Sequence, residues 1–213
     1  MSTALMFGGA FNPPTVAHIE LADYARKAVG ADTVIFVPTK NAYIADEQHK
    51  DYVFSDAERL SMLEEIAGTH AWMKVSHYEI DSEVQPRTYQ TLCHLKEEGY
   101  DCQLLMGSDK LPELEHGWKY VDQITREFGI VCMERSADDV EAILRKDPYL
   151  STLIPYIRVL PTPSETRHVS STAVRALLSE LQASWRKLKT MVPEEISEAM
   201  IRRILEENEC ETE

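Results

Sequence analysis

The chain has 213 residues, 44% hydrophobic and 27% charged, an ordinary globular composition with enough length for one sizeable core. Its 22 Lys and Arg face 36 Asp and Glu, giving a formal net charge of −14, which argues against a basic nucleic-acid track and against attraction to anionic lipid. Any phosphate handled here has to be met by a few local cations within an acidic body.

In chain order, residues 3–7 are short, apolar and followed by Gly8-Gly9, the pattern of a buried strand and turn. Residues 15–29 carry apolar side chains at helical spacing and stop at Gly30. A β-branched strand follows at 33–37, closed by Pro38. Residues 39–54 are the longest irregular stretch and a candidate substrate loop. Ser55-Asp56-Ala57-Glu58 is a capping box that opens a helix through Ile66. Next come a strand at 72–80, a helix at 88–98 ended by Gly99, and a strand at 102–106 followed by Gly107. A helix near 120–126, a strand at 129–133, a helix at 136–145 and a strand at 156–160 continue the alternation. The expected last elements are a helix at 170–181 with Ser170 as N-cap, and an amphipathic helix from Pro193.

Alternating strands and helices predict a Rossmann-like, doubly wound α/β fold. Its sheet would be mainly parallel, in one domain over 1–213, with a C-terminal helical part at 170–208. No run of about 18 apolar residues is present, so no transmembrane helix is expected. Residues 1–7 lack the basic and long apolar regions of a signal peptide. Cys93, Cys102, Cys132 and Cys210 form no C-x-x-C pair, which predicts reduced thiols, no zinc site and a cytoplasmic address. His70, His77, His94 and His116 show no metal-ligand spacing.

The segment with chemical content runs from Gly8 to His18, Gly-Gly-Ala-Phe-Asn-Pro-Pro-Thr-Val-Ala-His. The glycines let backbone N–H groups approach an anion, and the following helix start adds the positive end of its dipole. Thr15 and His18 are three residues apart and share one face of the first turn. Neither a Walker loop nor a G-x-G-x-x-G dinucleotide fingerprint is present. A second segment is Arg167-His168-Val169-Ser170-Ser171-Thr172-Ala173-Val174-Arg175. Its consecutive hydroxyls open a helix, and Arg175 lies one turn on, so amides, hydroxyls and a guanidinium again converge on an anion. Taken singly, each segment also fits an ordinary turn or an N-capped surface helix.

Together the two segments resemble the nucleotidyltransferase superfamily, with its T/H-x-x-H motif after strand one and S-S-T-x-x-R motif before a late helix. More narrowly, the chain resembles the nicotinate/nicotinamide mononucleotide adenylyltransferases. Gly8-Gly9-Ala10-Phe11-Asn12-Pro13 matches that family's opening, and Arg59-Leu60-Ser61-Met62-Leu63 its R-x-x-M-L helix. Thr88 with Thr91-Leu92, Gly107-Ser108-Asp109, Trp118 and Arg135 fall at the family's further positions. The chain departs from the bacterial pattern with Thr15 and Ala17 in His-x-Gly-His, and with Arg87 where Tyr is common.

The resemblance implies transfer of AMP from ATP to the 5′-phosphate of a pyridine mononucleotide, with Mg²⁺ accompanying ATP. It implies that His18 donates to the α-phosphate and Thr15 supports the triphosphate, while Ser170, Ser171, Thr172 and Arg175 hold the β- and γ-phosphates. Gly8, Gly9, Ala10 and Phe11 line the ATP site, and Gly107 and Asp109 meet the adenosine ribose. Asn12, Lys50, Thr88, Trp118 and Arg135 are the implied substrate contacts, Lys50 on the mononucleotide phosphate and Arg135 on the leaving pyrophosphate. The expected partners are ATP and the mononucleotide, with no nucleic acid and no membrane, and a homo-oligomer is left open. Arg59 is read as structural, pairing with acidic neighbours on its helix. The competing readings are another adenylyltransferase, such as one acting on pantetheine phosphate, and an inactive nucleotide-binding regulator. A hydride-transferring Rossmann enzyme is disfavoured by the missing fingerprint.

Overall fold

Strand positions with apolar side chains on both sides belong in a sheet covered on both faces, and the computed structural model builds that sheet. It describes residues 1–46, 54–134, 139–162, 169–178, 185–196 and 201. The strands are β1 (Ser2–Gly9), β2 (Thr33–Pro38), β3 (Met73–Val75), β4 (Tyr100–Gly107), β5 (Ile130–Glu134) and β6 (Ile157–Pro161). They form a six-stranded sheet in the order β3-β2-β1-β4-β5-β6. Every pair is parallel, with Gly8 opposite Val37, Phe7 opposite Leu105 and Gly107 opposite Met133. The order reverses between β1 and β4, the switch point outside which ligands bind in open α/β sheets.

Successive strand residues feed two separate cores, as the period of two requires. Leu5, Val34, Phe36, Leu105, Val131 and Met133 point into the first. Ala4, Met6, Ile35, Val37, Leu104 and Cys132 point into the second. The first core is closed by α1 (Val16–Val29), α3 (Asp56–Thr69), α10 (Ser171–Leu178) and α11 (Trp185–Leu188). The second is closed by α5 (Thr88–Glu97), α8 (Val140–Lys146), α9 (Pro148–Leu153) and the segment from 111 to 128. Cys102 and Cys132 are buried free thiols in the second core, and burial pushes the Cys102 thiol up to about 12. No helix of the described residues is long and apolar enough to cross a membrane.

Several boundaries differ from expectation. The strand expected at 72–80 stops at Val75, and Tyr78–Asp81 is a helical turn, α4. Residues 41–46, expected as loop, form the short helix α2 (Asn41–Asp46). Asn41 anchors it, its N–H donating to Asp56 Oδ1 at 2.8 Å and its Nδ2 to the Phe54 carbonyl at 2.9 Å. The helix near 120–126 is the short α7 (Val121–Gln123) continued as a π-turn over Ile124–Phe128, preceded by α6 (Glu113–His116). Helices α9 and α11 were not expected. Asp147 accounts for α9, its carboxylate accepting from Tyr149 N and Leu150 N at 2.8 and 2.9 Å. The helix expected at 170–181 is described only to Leu178, and most of the one expected from Pro193 lies outside the described residues.

Candidate active site

The loop between β1 and α1 leaves the sheet at its switch point, where Gly8-Gly9 lies beside the end of β4. At Gly9 an added Cβ would stand 3.3 Å from the Phe11 ring, so a side chain there would displace that ring. Phe11 is buried and has a left-handed backbone at φ 46°, uncommon for a residue with a Cβ. Its ring meets the His18 ring edge-on at 5.2 Å between centroids, and packs on Phe7 and Phe36 at 5.4 and 5.3 Å. The aromatic residues thus form a wall that sets the plane of His18.

Thr15 is the N-cap of α1 and is fully buried. Its N–H donates to His18 Nδ1 at 3.0 Å, and its hydroxyl oxygen lies 2.8 Å from the same nitrogen. His18 therefore takes the place that Glu or Gln holds in a capping box. A backbone N–H can only donate, so Nδ1 accepts here and the proton of the neutral ring sits on Nε2. The hydroxyl of Thr15, expected on a phosphate, is turned instead onto the histidine. The sequence showed the shared face but not this internal pairing.

The second motif docks onto the same loop. Arg175 Nη1 donates to the Asn12 carbonyl at 2.8 Å, and Ser171 Oγ donates to the Pro13 carbonyl at 2.8 Å. Ser170 caps α10 as expected, its Oγ accepting from Ala173 N at 3.1 Å. Thr172 is exposed, with its Oγ 3.4 Å from Arg175 Nη2. Val16 N also donates to the Met191 carbonyl at 3.0 Å, tying the start of α1 to the segment after α11. Residues some 160 positions apart in sequence thus meet at one helix-start pair.

Arg59 holds the loop from below. It is fully buried on α3, pairs with Asp56, and donates to the carbonyls of Ala10 and Thr39, the latter at 2.6 Å. The expectation of a structural arginine accords with this geometry, but the carbonyl of Ala10 was not anticipated as its partner. Burial lowers its pKa, and the Asp56 carboxylate opposes that shift. The Asn12 side chain is buried and accepts from Phe54 N at 3.3 Å.

Gly107, Asp109 and Thr88 lie at the same carboxyl edge of the sheet. Gly107 ends β4 and begins the turn Ser108–Lys110, on which Asp109 is exposed. Thr88 is the first residue of α5, which runs back towards β4, so its start lies at that edge. Trp118 follows α6 and is half-buried against the second core. Among the described residues, no hydrogen bond joins Thr88 or Trp118 to the His18 loop. Lys50, Arg135, Arg167 and His168 lie outside the described residues.

One buried group escaped the sequence. Glu79 on α4 is 5% exposed, and burial raises its carboxyl to about 7 against hydrogen bonds that favour the anion. Its only signal in the sequence is an acid between Tyr78 and Ile80, inside a stretch whose pattern predicts a strand.

Residues 6–177 match the cytidylyltransferase-like family. A protein of Neisseria meningitidis serogroup B named "probable nicotinate-nucleotide adenylyltransferase" is 32% identical over 82% of this chain and 86% of its own length. A Clostridium perfringens protein of the same name is 28% identical over 82% of this chain and 85% of its own. Among solved structures, Plasmodium falciparum nicotinic acid mononucleotide adenylyltransferase complexed with NaAD superposes with a TM-score of 0.71. It is 19% identical, over 98% of this chain and 97% of that one, so it speaks for the fold. With the β1–α1 loop, its Thr15–His18 capping box and the docked Ser-Ser-Thr-x-x-Arg helix at the switch point, the chain belongs to the cytidylyltransferase-like family and, within it, to the nicotinate-nucleotide adenylyltransferases.

Proposed function

We propose that this protein transfers AMP from ATP to the 5′-phosphate of nicotinate mononucleotide, forming the dinucleotide and pyrophosphate for NAD biosynthesis. The observation that carries the reading is the meeting of two helix starts, α1 with His18 and α10 with Arg175, on one loop at the sheet's switch point. The names of the relatives support nicotinate mononucleotide as acceptor. Nothing comparable favours a pantetheine-phosphate acceptor or an inactive regulator.

The acceptor phosphate oxygen is already a nucleophile, so the reaction needs no general base and no covalent enzyme intermediate. What it needs is two polyanions held in line and the charge that builds at the α-phosphate met by fixed donors. His18 presents Nε2–H to the α-phosphate because Thr15 occupies Nδ1. Thr15 is thus a positioning residue, and His18 the catalytic one. Gly8, Gly9, Ala10 and Phe11 form the turn that lets the triphosphate approach the start of α1. Ser170, Ser171, Thr172 and Arg175 receive the β- and γ-phosphates, with Arg175 and Ser171 exchanging the Asn12 and Pro13 carbonyls for phosphate oxygens. Asp109 accepts from the ribose hydroxyls beside Gly107. Thr88 and Trp118 border the pyridine ring, and Asn12 shapes the crevice from its buried position. Mg²⁺ enters as part of the ATP substrate, on phosphate oxygens and water.

The test is pyrophosphate release from ATP in the presence of nicotinate mononucleotide, nicotinamide mononucleotide or phosphopantetheine. The expected result is release with the pyridine mononucleotides, fastest with the nicotinate form. Release no faster than with ATP alone, across all three acceptors, overturns the reading.

A further inference from the structure

A buried carboxylate in a small domain is costly unless its oxygens are satisfied, and Glu79 is satisfied by neutral donors only. Thr91 Oγ1 donates to its Oε1 at 2.8 Å, and Gln85 Nε2 donates to its Oε2 at 2.5 Å. Thr91 is itself fully buried one turn into α5, three residues after Thr88. On its other side the Gln85 amide accepts, with Lys40 N donating to its Oε1 at 3.0 Å. Lys40 lies just past β2, and the preceding Thr39 N donates to the Gly9 carbonyl at 3.0 Å. The Lys40 ammonium donates to the carbonyls of Ile80, at 2.7 Å, and Ser82, closing around the end of α4. Among the described residues no cation lies within ion-pair distance of Glu79.

These hydrogen bonds form one chain whose two arms converge on Glu79, one from α5 and one through Gln85 from the ends of β2 and β1. We propose that Glu79 is a positioning residue for the acceptor, fixing the first turn of α5, and Thr88 with it, against Lys40 and the β1–α1 loop. The proposal rests on the reading of Thr88 as an acceptor contact. The polarity of the chain makes it specific. Charged or neutral, the carboxyl keeps Oε2 as an acceptor, so it holds the Gln85 amide with Nε2 inward and Oε1 towards Lys40 N–H. Glutamine at position 79 can still serve, with its oxygen to Gln85 and its amide nitrogen to Thr91 Oγ1. The Thr91 hydroxyl would then turn to the Arg87 carbonyl, already 3.5 Å away. Alanine cannot.

The experiment compares steady-state kinetics of Glu79→Ala, Glu79→Gln, Gln85→Leu and Thr88→Val with the unaltered enzyme. Glu79→Ala is expected to raise KM for nicotinate mononucleotide at least tenfold, leaving KM for ATP and kcat within about twofold. Glu79→Gln should restore the acceptor KM to within about threefold, and Gln85→Leu should reproduce the defect. An unchanged acceptor KM in a folded Glu79→Ala enzyme overturns the proposal, as does an equal rise in both KM values. If Glu79→Ala does not fold, Gln85→Leu decides, and a normal acceptor KM there overturns it. Thr88→Val separates the two ideas: a raised acceptor KM in Thr88→Val but not in the Glu79 and Gln85 variants sinks this proposal alone. No product from the unaltered enzyme with any mononucleotide sinks the functional reading together with it.

Discussion

The backbone N–H of Thr15 donates to Nδ1 of His18 at 3.0 Å, so the histidine proposed to act in catalysis also completes the capping box of its own helix. One hydrogen bond closes the first turn of α1 and leaves Nε2 as the donor. The edge-on contact of Phe11 at 5.2 Å fixes the remaining freedom, the plane of the ring. Stability and catalysis share the same atoms here, and this sharing shapes what substitutions do.

Replacing His18 by alanine removes the donor to the α-phosphate. One well-placed donor to developing charge is worth about 3–4 kcal/mol, or roughly 10²–10³ in kcat. The loss of the cap partner adds only about 1 kcal/mol to the instability of the fold. Turnover and thermal melting of His18→Ala check both, and an enzyme with undiminished kcat refutes the assignment.

Thr15→Val keeps the β-branched shape and the backbone N–H but removes the hydroxyl 2.8 Å from Nδ1. The expected outcome is a loss of about 1 kcal/mol of transition-state stabilisation, roughly fivefold in kcat, the usual worth of one such hydrogen bond. The effect must be much smaller than that of His18→Ala. Equal losses in the two variants would mean that Thr15 itself touches the phosphate.

Arg59→Met should cost roughly 3 kcal/mol of stability, the scale for removing one partner of a buried pair. The substitution takes the cation from the Asp56 carboxylate, which keeps only the Asn41 N–H among the described residues, and withdraws the donor from the carbonyls of Ala10 and Thr39. Urea denaturation measures it. Because Ala10 lies in the β1–α1 loop, KM for ATP should rise as well.

Glu79 makes stability depend on pH in an unusual direction. Its carboxyl is raised from 4.5 to about 7 by burial, so the folded protein binds the proton more tightly than the unfolded chain. Its contribution is fully present below about pH 4.5 and is lost as pH rises through 7, on the order of 3 kcal/mol in all. Glu79→Gln cannot lose a proton. Between pH 5 and 8 its unfolding free energy should therefore fall less steeply than that of the unaltered protein. Parallel slopes in the two proteins would show that Glu79 carries its charge in the fold without penalty.

The sequence by itself determined the strand-helix alternation, because two-sided apolar strands and helical spacing are local patterns that burial cannot reverse. It also determined the two phosphate-type motifs, since glycines, hydroxyls and a helix start declare their chemistry in contiguous residues. The net charge of −14 bore on the surface and left these sites untouched. Boundaries at residues 72–81 and 120–128 were illegible because mixed stretches this short fit strand and helix equally well. Only the tertiary structure decided that Arg175 reaches Asn12, that Arg59 reaches Ala10, and that Glu79, Gln85 and Lys40 are joined. The physical reason is that a buried polar atom takes whatever partner the fold brings within about 3 Å. Partners 6 to 163 residues away in sequence leave no periodic mark by which to find them.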